Sequence, residues 1–404
     1  MSNGYWKQVK LREICKFRHG LTPGKGNRTY WDGNIPWVTP KDMKSAAIRD
    51  TIDHVTSNAL EQTNLRLIPE NTLLVVVRSG ILARTVPIAL TTLPVTFNQD
   101  IKAIQVTSDA VSPDYLFWSL KNLETHILRQ GVKIGATVHS IKSGFLENLT
   151  VPLPPLAEQR RIAAAIEERL CEVERARAAV QAQLDDAHAL MAAHLRAVFE
   201  SEEAQGWERQ PLGEITRTTS GQTPLRSRSD FYDGGTICWV KTGELRDNTI
   251  YDTEEHITEL ALSETGLACL PPETVLVAMY GQGQTRGRTA ILKVAAATNQ
   301  ACFAILPQPS VFVSEFVQFW FRYQYETLRQ ESDGRGGNQP NLNGKLLRAK
   351  RVALPSLERQ TTIVNELRDI ENSIVDAQGY LRNQLNDIDR LPAAILRQAF
   401  AGEL

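Results

Sequence analysis

Residues 151–166, VPLPPLAEQRRIAAAI, and residues 352–367, VALPSLERQTTIVNEL, stand 201 positions apart and share one plan. Val151, Leu153, Pro154, Leu156, Gln159 and Ile162 return as Val352, Leu354, Pro355, Leu357, Gln360 and Ile363. In each copy a short β-favouring run closes on proline, which has no N–H to give to a strand or a helix interior. A stretch almost free of glycine and proline then follows. Each copy therefore reads as a junction where strands and loops give way to a long helix, and the chain makes that junction twice.

The repeat extends in both directions. Trp6, Gly20, Thr22, Pro23 and Trp31-Asp32-Gly33 match Trp207, Gly221, Thr223, Pro224 and Tyr232-Asp233-Gly234 at an offset of 201. One extra residue then enters the second copy, so that Trp37-Val38 matches Trp239-Val240 and Leu74-Val75 matches Leu276-Val277 at 202. Asn98-Gln99 and Asn299-Gln300 return to 201, and Leu184, Leu190, Leu195 and Phe199 answer Leu385, Leu391, Leu396 and Phe400. A period this long means a duplicated domain with its connector.

Upstream of each junction, runs such as LLVVV (73–77) and VLVAM (275–279) alternate with Gly, Pro, Asn and Thr clusters, the pattern of strands joined by loops. Downstream, apolar residues fall into a seven-residue rhythm. Ile363, Leu367, Ile370, Ile374, Leu381, Leu385 and Ile388 form one stripe, and Ile162, Ile166, Val173, Val180 and Leu184 form the other. Such stripes need a partner, and each is the natural partner of the other. The expected fold is mixed α/β (α+β): globular domains at 1–156 and 207–357, with long helices at 157–206 and 358–404 pairing antiparallel as a coiled coil. Pro392 should interrupt the second helix near Leu391.

The 404 residues, 42% hydrophobic and 23% charged, exclude a disordered chain, and no apolar run reaches the ~20 residues needed to span a membrane. The start has no export signal, so a cytoplasmic location is expected. Five scattered cysteines, none in a Cys-x-x-Cys pair, argue against both disulfides and a zinc knuckle. The net charge of -1 hides an uneven spread. Residues 1–156 carry 18 basic against 12 acidic side chains, residues 207–357 carry 16 of each, and both helices are acidic. Basic loops suit phosphate, and acidic helices suit protein partners.

The order domain, helix, domain, helix, the two junction sequences and the ending LPAAILRQAFAGEL closely resemble the specificity subunit of type I restriction-modification enzymes, over the whole chain. The stretches from Gly20 to Trp37 and from Gly221 to Trp239 look like the openings of its two target-recognition domains. The resemblance implies a non-catalytic subunit that reads a split target in double-stranded DNA, one domain per half-site. It also implies helices that set the separation and dock two methyltransferase subunits, with restriction subunits in the full complex. No cofactor is then expected in this chain: S-adenosylmethionine belongs to the methyltransferase partner, ATP and Mg²⁺ to the restriction partner. The competing expectation is a stand-alone architectural DNA clamp whose helices recruit nothing.

Three loop regions are candidate DNA contacts. In the Gly-Thr-Pro turns these are Gly20, Thr22, Lys25 and Arg28 in one copy, and Gly221, Gln222, Thr223, Arg226 and Arg228 in the other. Glycine permits close backbone approach, and the basic residues suit phosphate; the alternative is an ordinary turn. After the central strand come Arg78, Ser79 and Arg84, matched by Tyr280, Gln282, Gln284, Arg286 and Arg288. Two arginines and two glutamines on one glycine-rich loop can pair with guanine and adenine edges; the alternative is a solvated hairpin. Third are Lys133, Thr137, His139, Ser140 and Lys142 against Arg335, Asn338, Gln339, Asn341, Asn343 and Lys345. Asn98, Gln99, Asn299 and Gln300 are weaker candidates, because identical residues in two domains that read different bases suggest a structural role. Trp37 and Trp239 read as core.

The chain carries no Asn/Asp-Pro-Pro-aromatic loop for a target adenine and no Gly-Lys-Ser/Thr phosphate loop, so no catalytic residues are expected. His188 and His194 lie six apart on the first helix and face different sides, so no metal site is expected there.

Overall fold

A computed structural model of the chain describes residues 6–135, 138–281, 283–333 and 342–404. It divides into two compact units, Met1–Val180 with Gln384–Leu404, and Gln181–Asn383. Among the described residues no helix is long and apolar enough to cross a membrane.

In the first unit a five-stranded sheet runs in the order Cys15–His19, Ile101–Val106, Leu73–Val76, Ile88–Thr91, Ala47–Ile48, antiparallel except for its last pair. Leu73–Val76 is buried at every position rather than at alternate ones, since both faces of this central strand are covered. Helix Pro113–Asn122 lies among the residues that cover it, through Leu116, Phe117 and Leu120. A smaller sheet sets Trp31–Val38 between Asp53–Val55 and Thr96–Phe97. Lys7–Lys10 and Thr150–Leu153 form a closing ladder.

The second unit repeats the design. Its large sheet runs Thr218–Ser220, Cys302–Ile305, Val275–Ala278, Thr289–Leu292, Asn248–Ile250; its small sheet sets Ile237–Val240 between His256–Ile257 and Ala296–Thr298; its ladder pairs Glu208–Pro211 with Arg351–Leu354. The central strand again serves two faces: Val275 and Val277 join one apolar cluster, and Leu276 and Ala278 another.

The structure corrects the register of the repeat at one point. Asp32 and Gly234 both take left-handed φ, +61° and +73°. Gly33 and Gly235 then press against the backbone of Val55 and Ile257, where a Cβ would stand 2.3 and 2.7 Å from main-chain atoms. The extra residue of the second copy therefore lies between Tyr232 and Gly234, ahead of the turn glycine rather than after it.

The repeated glutamine of the junction ties each long helix to its own domain. Gln159 is fully buried, accepts the Ser112 N–H at 2.9 Å and donates to the carbonyls of Ala110 and Pro154 at 2.8 Å. Gln360 does the same with the Val313 N–H and the carbonyls of Val311 and Pro355. A buried amide with every partner in place is stable, and one with a missing partner is costly.

The helices form as expected. Leu156–Phe199 is continuous over 44 residues, and Leu357–Ile388 over 32. In the first unit Ile162, Ile166 and Val173 pack with Ile388, Ile395 and Ala399. The contacts of Arg161 with the Leu404 carbonyl and of Arg177 with Asp389 run in opposite chain directions, so the pair is antiparallel. In the second unit Leu195 and Phe199 pack with Ile363, Val364 and Leu367, while Leu184, Ile374 and Leu381 are buried. Val180, Ile370 and Leu385 are half-buried members of the same stripes. Pro392 stands in the first turn of a separate helix, Leu391–Ala401, where a missing N–H costs nothing.

Candidate nucleic-acid interface

Each domain gathers its candidate loops at one place, and the repeated Asn-Gln pair is what joins them. In the first domain Gln99 accepts the Thr22 hydroxyl at 2.5 Å, and the Asp100 carbonyl accepts the N–H groups of Val77 and Arg78 at 2.8 and 3.2 Å. Asn98 accepts the Asp100 N–H and caps this turn. The second domain repeats the scheme: Thr223 donates to Gln300 at 2.6 Å, the Met279 N–H to the Ala301 carbonyl, and the Ala301 N–H to Asn299. The third stretch attaches at the same point, through the Ile141 N–H to the Val77 carbonyl and the Leu342 N–H to the Met279 carbonyl, both 2.8 Å. Asn98, Gln99, Asn299 and Gln300 thus each accept a hydrogen bond that holds the loops together, with Gln99 and Gln300 exposed.

The turn glycines also serve the fold. A Cβ on Gly20 would stand 2.2 Å from the Asn98 carbonyl oxygen, and one on Gly221 1.7 Å from that of Thr298. Their missing side chains let the turn close onto the end of the Thr96–Phe97 strand in one domain and of the Ala296–Thr298 strand in the other, so close backbone approach is already used within the fold.

In the first domain the second and third loops merge into one sheet. Arg78–Ser79 pairs with His139–Ile141, which pairs with Val132–Lys133. Ser140 lies between Arg78 and Lys133, His139 lies opposite Ser79, and the exposed Ile81, Ile134 and Val138 flank them. Lys142 donates to the Gln130 carbonyl. Lys25, Arg28, Arg78, Arg84 and Lys133 are exposed, and among the described residues no carboxylate pairs with any of them.

The second domain differs. Arg226 pairs with Glu255 at 2.5 Å and lies over the rings of Tyr232 and Trp239. Arg228 lies over Phe231 between Asp230 and Glu264, at 2.6 and 3.1 Å, and those two carboxylates hold its proton more tightly than usual. Arg288 pairs with Asp247 and lies over Tyr325. Arg286, expected to present its guanidinium to a base, is only 6% exposed in this structure. Gln222 donates to the Thr265 carbonyl while remaining exposed. Asn343 caps helix Gly344–Ala349 through the Leu346 N–H. Tyr280, Gln284 and Lys345 remain exposed. Beyond Gln282 the loop is braced: Tyr325 donates to the Gln284 carbonyl at 2.8 Å and Arg329 to that of Gly283 at 3.0 Å. Thr137, Gln282, Arg335, Asn338, Gln339 and Asn341 lie outside the described residues.

Trp37 and Trp239 are core residues, each donating its indole N–H to a turn carbonyl, of Leu21 and of Gln222. Three of the cysteines, Cys15, Cys238 and Cys302, are buried, while Cys171 and Cys269 are exposed. Sequence reasoning missed two features. One is the pair of bracing residues Tyr325 and Arg329. The other is the convergence of Cys238, Asp252 and His256, whose ligand atoms lie within 4.8 Å of one another. The four-residue spacing of Asp252 and His256, repeated as Asp50 and His54, was the available signal.

Comparison with known proteins bears on these domains directly. A family model described as the type I restriction modification DNA specificity domain matches residues 3–174 and again 204–387. The EcoR124I/EcoR124II specificity subunit of Escherichia coli is 36% identical over 164 residues, a match spanning 40% of this chain and 40% of that protein. The MjaIX specificity subunit of Methanocaldococcus jannaschii is 24% identical over 307 residues, 71% of this chain and 69% of that one. Two solved structures share the fold from end to end. The HsdS subunit of Thermoanaerobacter tengcongensis has a TM-score of 0.65 at 21% identity, over 100% of this chain and 98% of that one. A chain from work on complex assembly and conformational transition of the type I R-M system has a TM-score of 0.72 at 21% identity, over 99% of this chain and 98% of that one.

Proposed function

The chain belongs to the type I restriction-modification DNA specificity family, and from that premise we propose that it reads one double-stranded DNA target in two unlike halves, one half per domain. The observation that carries this reading is the doubled loop assembly. The same three loops are joined by the same Asn-Gln turn in both units, while the residues they present differ. A shared frame with different side chains is what two readers of different base sequences need, because base identity is read by donors and acceptors at the groove edge. The target is then non-palindromic, with an unread spacer between its halves.

In this reading the chain is non-catalytic and docks methyltransferase subunits through its acidic helices, where Leu190, Val375 and Tyr380 are exposed apolar groups. Restriction subunits join in the full complex. The methyltransferase partner supplies S-adenosylmethionine, and the restriction partner uses ATP and Mg²⁺.

The test is to exchange residues 207–357 for the equivalent domain of a relative, assemble the chain with its cognate methyltransferase, and sequence the methylated DNA. One half-site should change while the other stays. A change in both, or failure of the chain to form a stable complex with the methyltransferase, overturns the reading; the second result would favour a stand-alone DNA clamp.

A further inference from the structure

The small sheets of the two domains share a set of contacts at equivalent positions. Pro36 lies opposite His54, and Cys238 opposite His256. The imidazole Nε2 stands 2.9 Å from the carboxylate Oδ1 in both cases, of Asp50 in one domain and Asp252 in the other. Behind them the Trp37 N–H donates to Thr51, and the Trp239 N–H to Thr253, each at 3.1 Å. Against this common frame one chemical difference stands out. The second domain adds a thiol, with Cys238 Sγ 3.5 Å from Asp252 Oδ1 and 3.8 Å from His256 Nε2.

We propose that Cys238, Asp252 and His256 form a binding site for a thiophilic divalent cation of the zinc class, present in the second domain and lacking from the first because Pro36 replaces the thiol. In a tetrahedral zinc site with bonds of about 2.0–2.3 Å, neighbouring ligand atoms stand about 3.3–3.6 Å apart. The three separations, 3.5, 3.8 and 2.9 Å, reach those values with shifts of a few tenths of an ångström. Three protein ligands leave the fourth position to solvent, on the side where Asp252 is exposed. A sulfur, nitrogen and oxygen set selects zinc or cobalt over magnesium and calcium, which take oxygen alone. Binding replaces the thiol proton, which passes to solvent.

A nucleophilic cysteine is the other chemistry such a cluster suggests, and the geometry opposes it. His256 faces the carboxylate and the thiol with the same nitrogen, so no relay runs from one to the other. The site adjoins Glu255, the carboxylate that holds Arg226 and Lys241, so an ion here would stiffen the strand that keeps those cations in place.

The experiment uses the full chain, freed of metal by chelation, reduced, and carrying Cys171→Ser and Cys269→Ser so that no exposed thiol competes. Titration with Co²⁺ should develop thiolate-to-cobalt charge-transfer absorption that saturates at one equivalent per chain. One equivalent of Zn²⁺ should bleach it. Cys238→Ser should lose the band, and Asp252→Ala, which keeps the thiol, should weaken cobalt binding at least tenfold. Pro36→Cys should bind a second equivalent. The proposal is overturned if the starting chain shows no band, if the band survives Cys238→Ser, or if Asp252→Ala binds cobalt unchanged. A Pro36→Cys chain that still binds one equivalent overturns the role given to Pro36.

Discussion

The two globular domains share strand order, loop attachments and even the hydrogen bonds of a single Thr-Gln pair, yet they present charge in opposite ways. In the first, Lys25, Arg28, Arg78, Arg84 and Lys133 stand exposed without carboxylate partners among the described residues. In the second, Arg226, Arg228 and Arg288 are each paired with one or two carboxylates and laid over aromatic rings. A free cation gains from phosphate by releasing counterions, whereas a paired one must first give up its carboxylate. In the proposed function one scaffold would then carry a domain that holds DNA broadly and a domain that engages it only where the exchange is favourable.

The largest effect expected from breaking this comparison falls on what the domains share. Gln159→Ala and Gln360→Ala each strip three partners from a buried amide, and unpaired buried groups cost about 1–3 kcal/mol apiece. Each variant should destabilise its own unit by roughly 2–4 kcal/mol in thermal or denaturant unfolding. A large loss in one unit and none in the other would show that the frames are not equivalent.

Next is the difference itself. Replacing Lys25, Arg28 and Arg78 by alanine should reduce the logarithmic salt slope of DNA binding by up to about three units, near 0.9 for each phosphate no longer neutralised. Affinity should fall alike on cognate and unrelated DNA. Replacing Arg226 and Arg228 should change the slope by less than about one unit. Equal reductions from the two sets would erase the distinction.

A smaller effect is expected from opening one cage. Glu255→Gln removes the carboxylate shared by Arg226 and Lys241, so it should raise affinity at the second half-site and steepen the salt slope by about one unit. Unchanged isotherms would mean that these cations never reach phosphate.

The smallest concerns pH and the way each domain anchors its middle loop. In the first, Glu124 accepts the Thr85 hydroxyl and the Val86 N–H at the end of that loop and pairs with Lys121. Burial alone would raise its proton affinity, but Thr85, Lys121 and Val86 together hold its carboxyl below the ordinary value. Because the folded value is the lower one, this carboxylate stabilises the domain above the unfolded pKa of about 4.3, and the gain is lost as pH falls through the folded value. The first unit's melting temperature should show this acid step, and Glu124→Gln should remove it at a cost of about 1 kcal/mol at neutral pH. An acid profile identical in wild type and variant would contradict the assignment.

Much of this is legible in the sequence. The repeat places both junctions, and the seven-residue stripes place both helices, down to the restart that Pro392 imposes. Asn98 and Asn299 lean towards a structural role on sequence alone, because identical residues are poor discriminators. Less legible are the roles of Gly20 and Gly221, which press against the backbone of Asn98 and Thr298, 78 and 77 residues away along the chain. The arginines of the second domain read as a basic patch: Arg228 has one carboxylate, Asp230, two positions away, but Glu255, Glu264 and Asp247 reach Arg226, Arg228 and Arg288 across 29, 36 and 41 positions.

By itself the sequence determined the duplicated plan, the α/β class and the paired helices, because periodicity and turn chemistry are local and each residue's neighbours along the chain decide them. Tertiary structure alone decided which cations are free, which are caged, and that Cys238 meets Asp252 and His256. Those outcomes depend on side chains from separate strands arriving within a few ångströms of one another, and at that range electrostatics and ligation are decided by distance rather than by residue type.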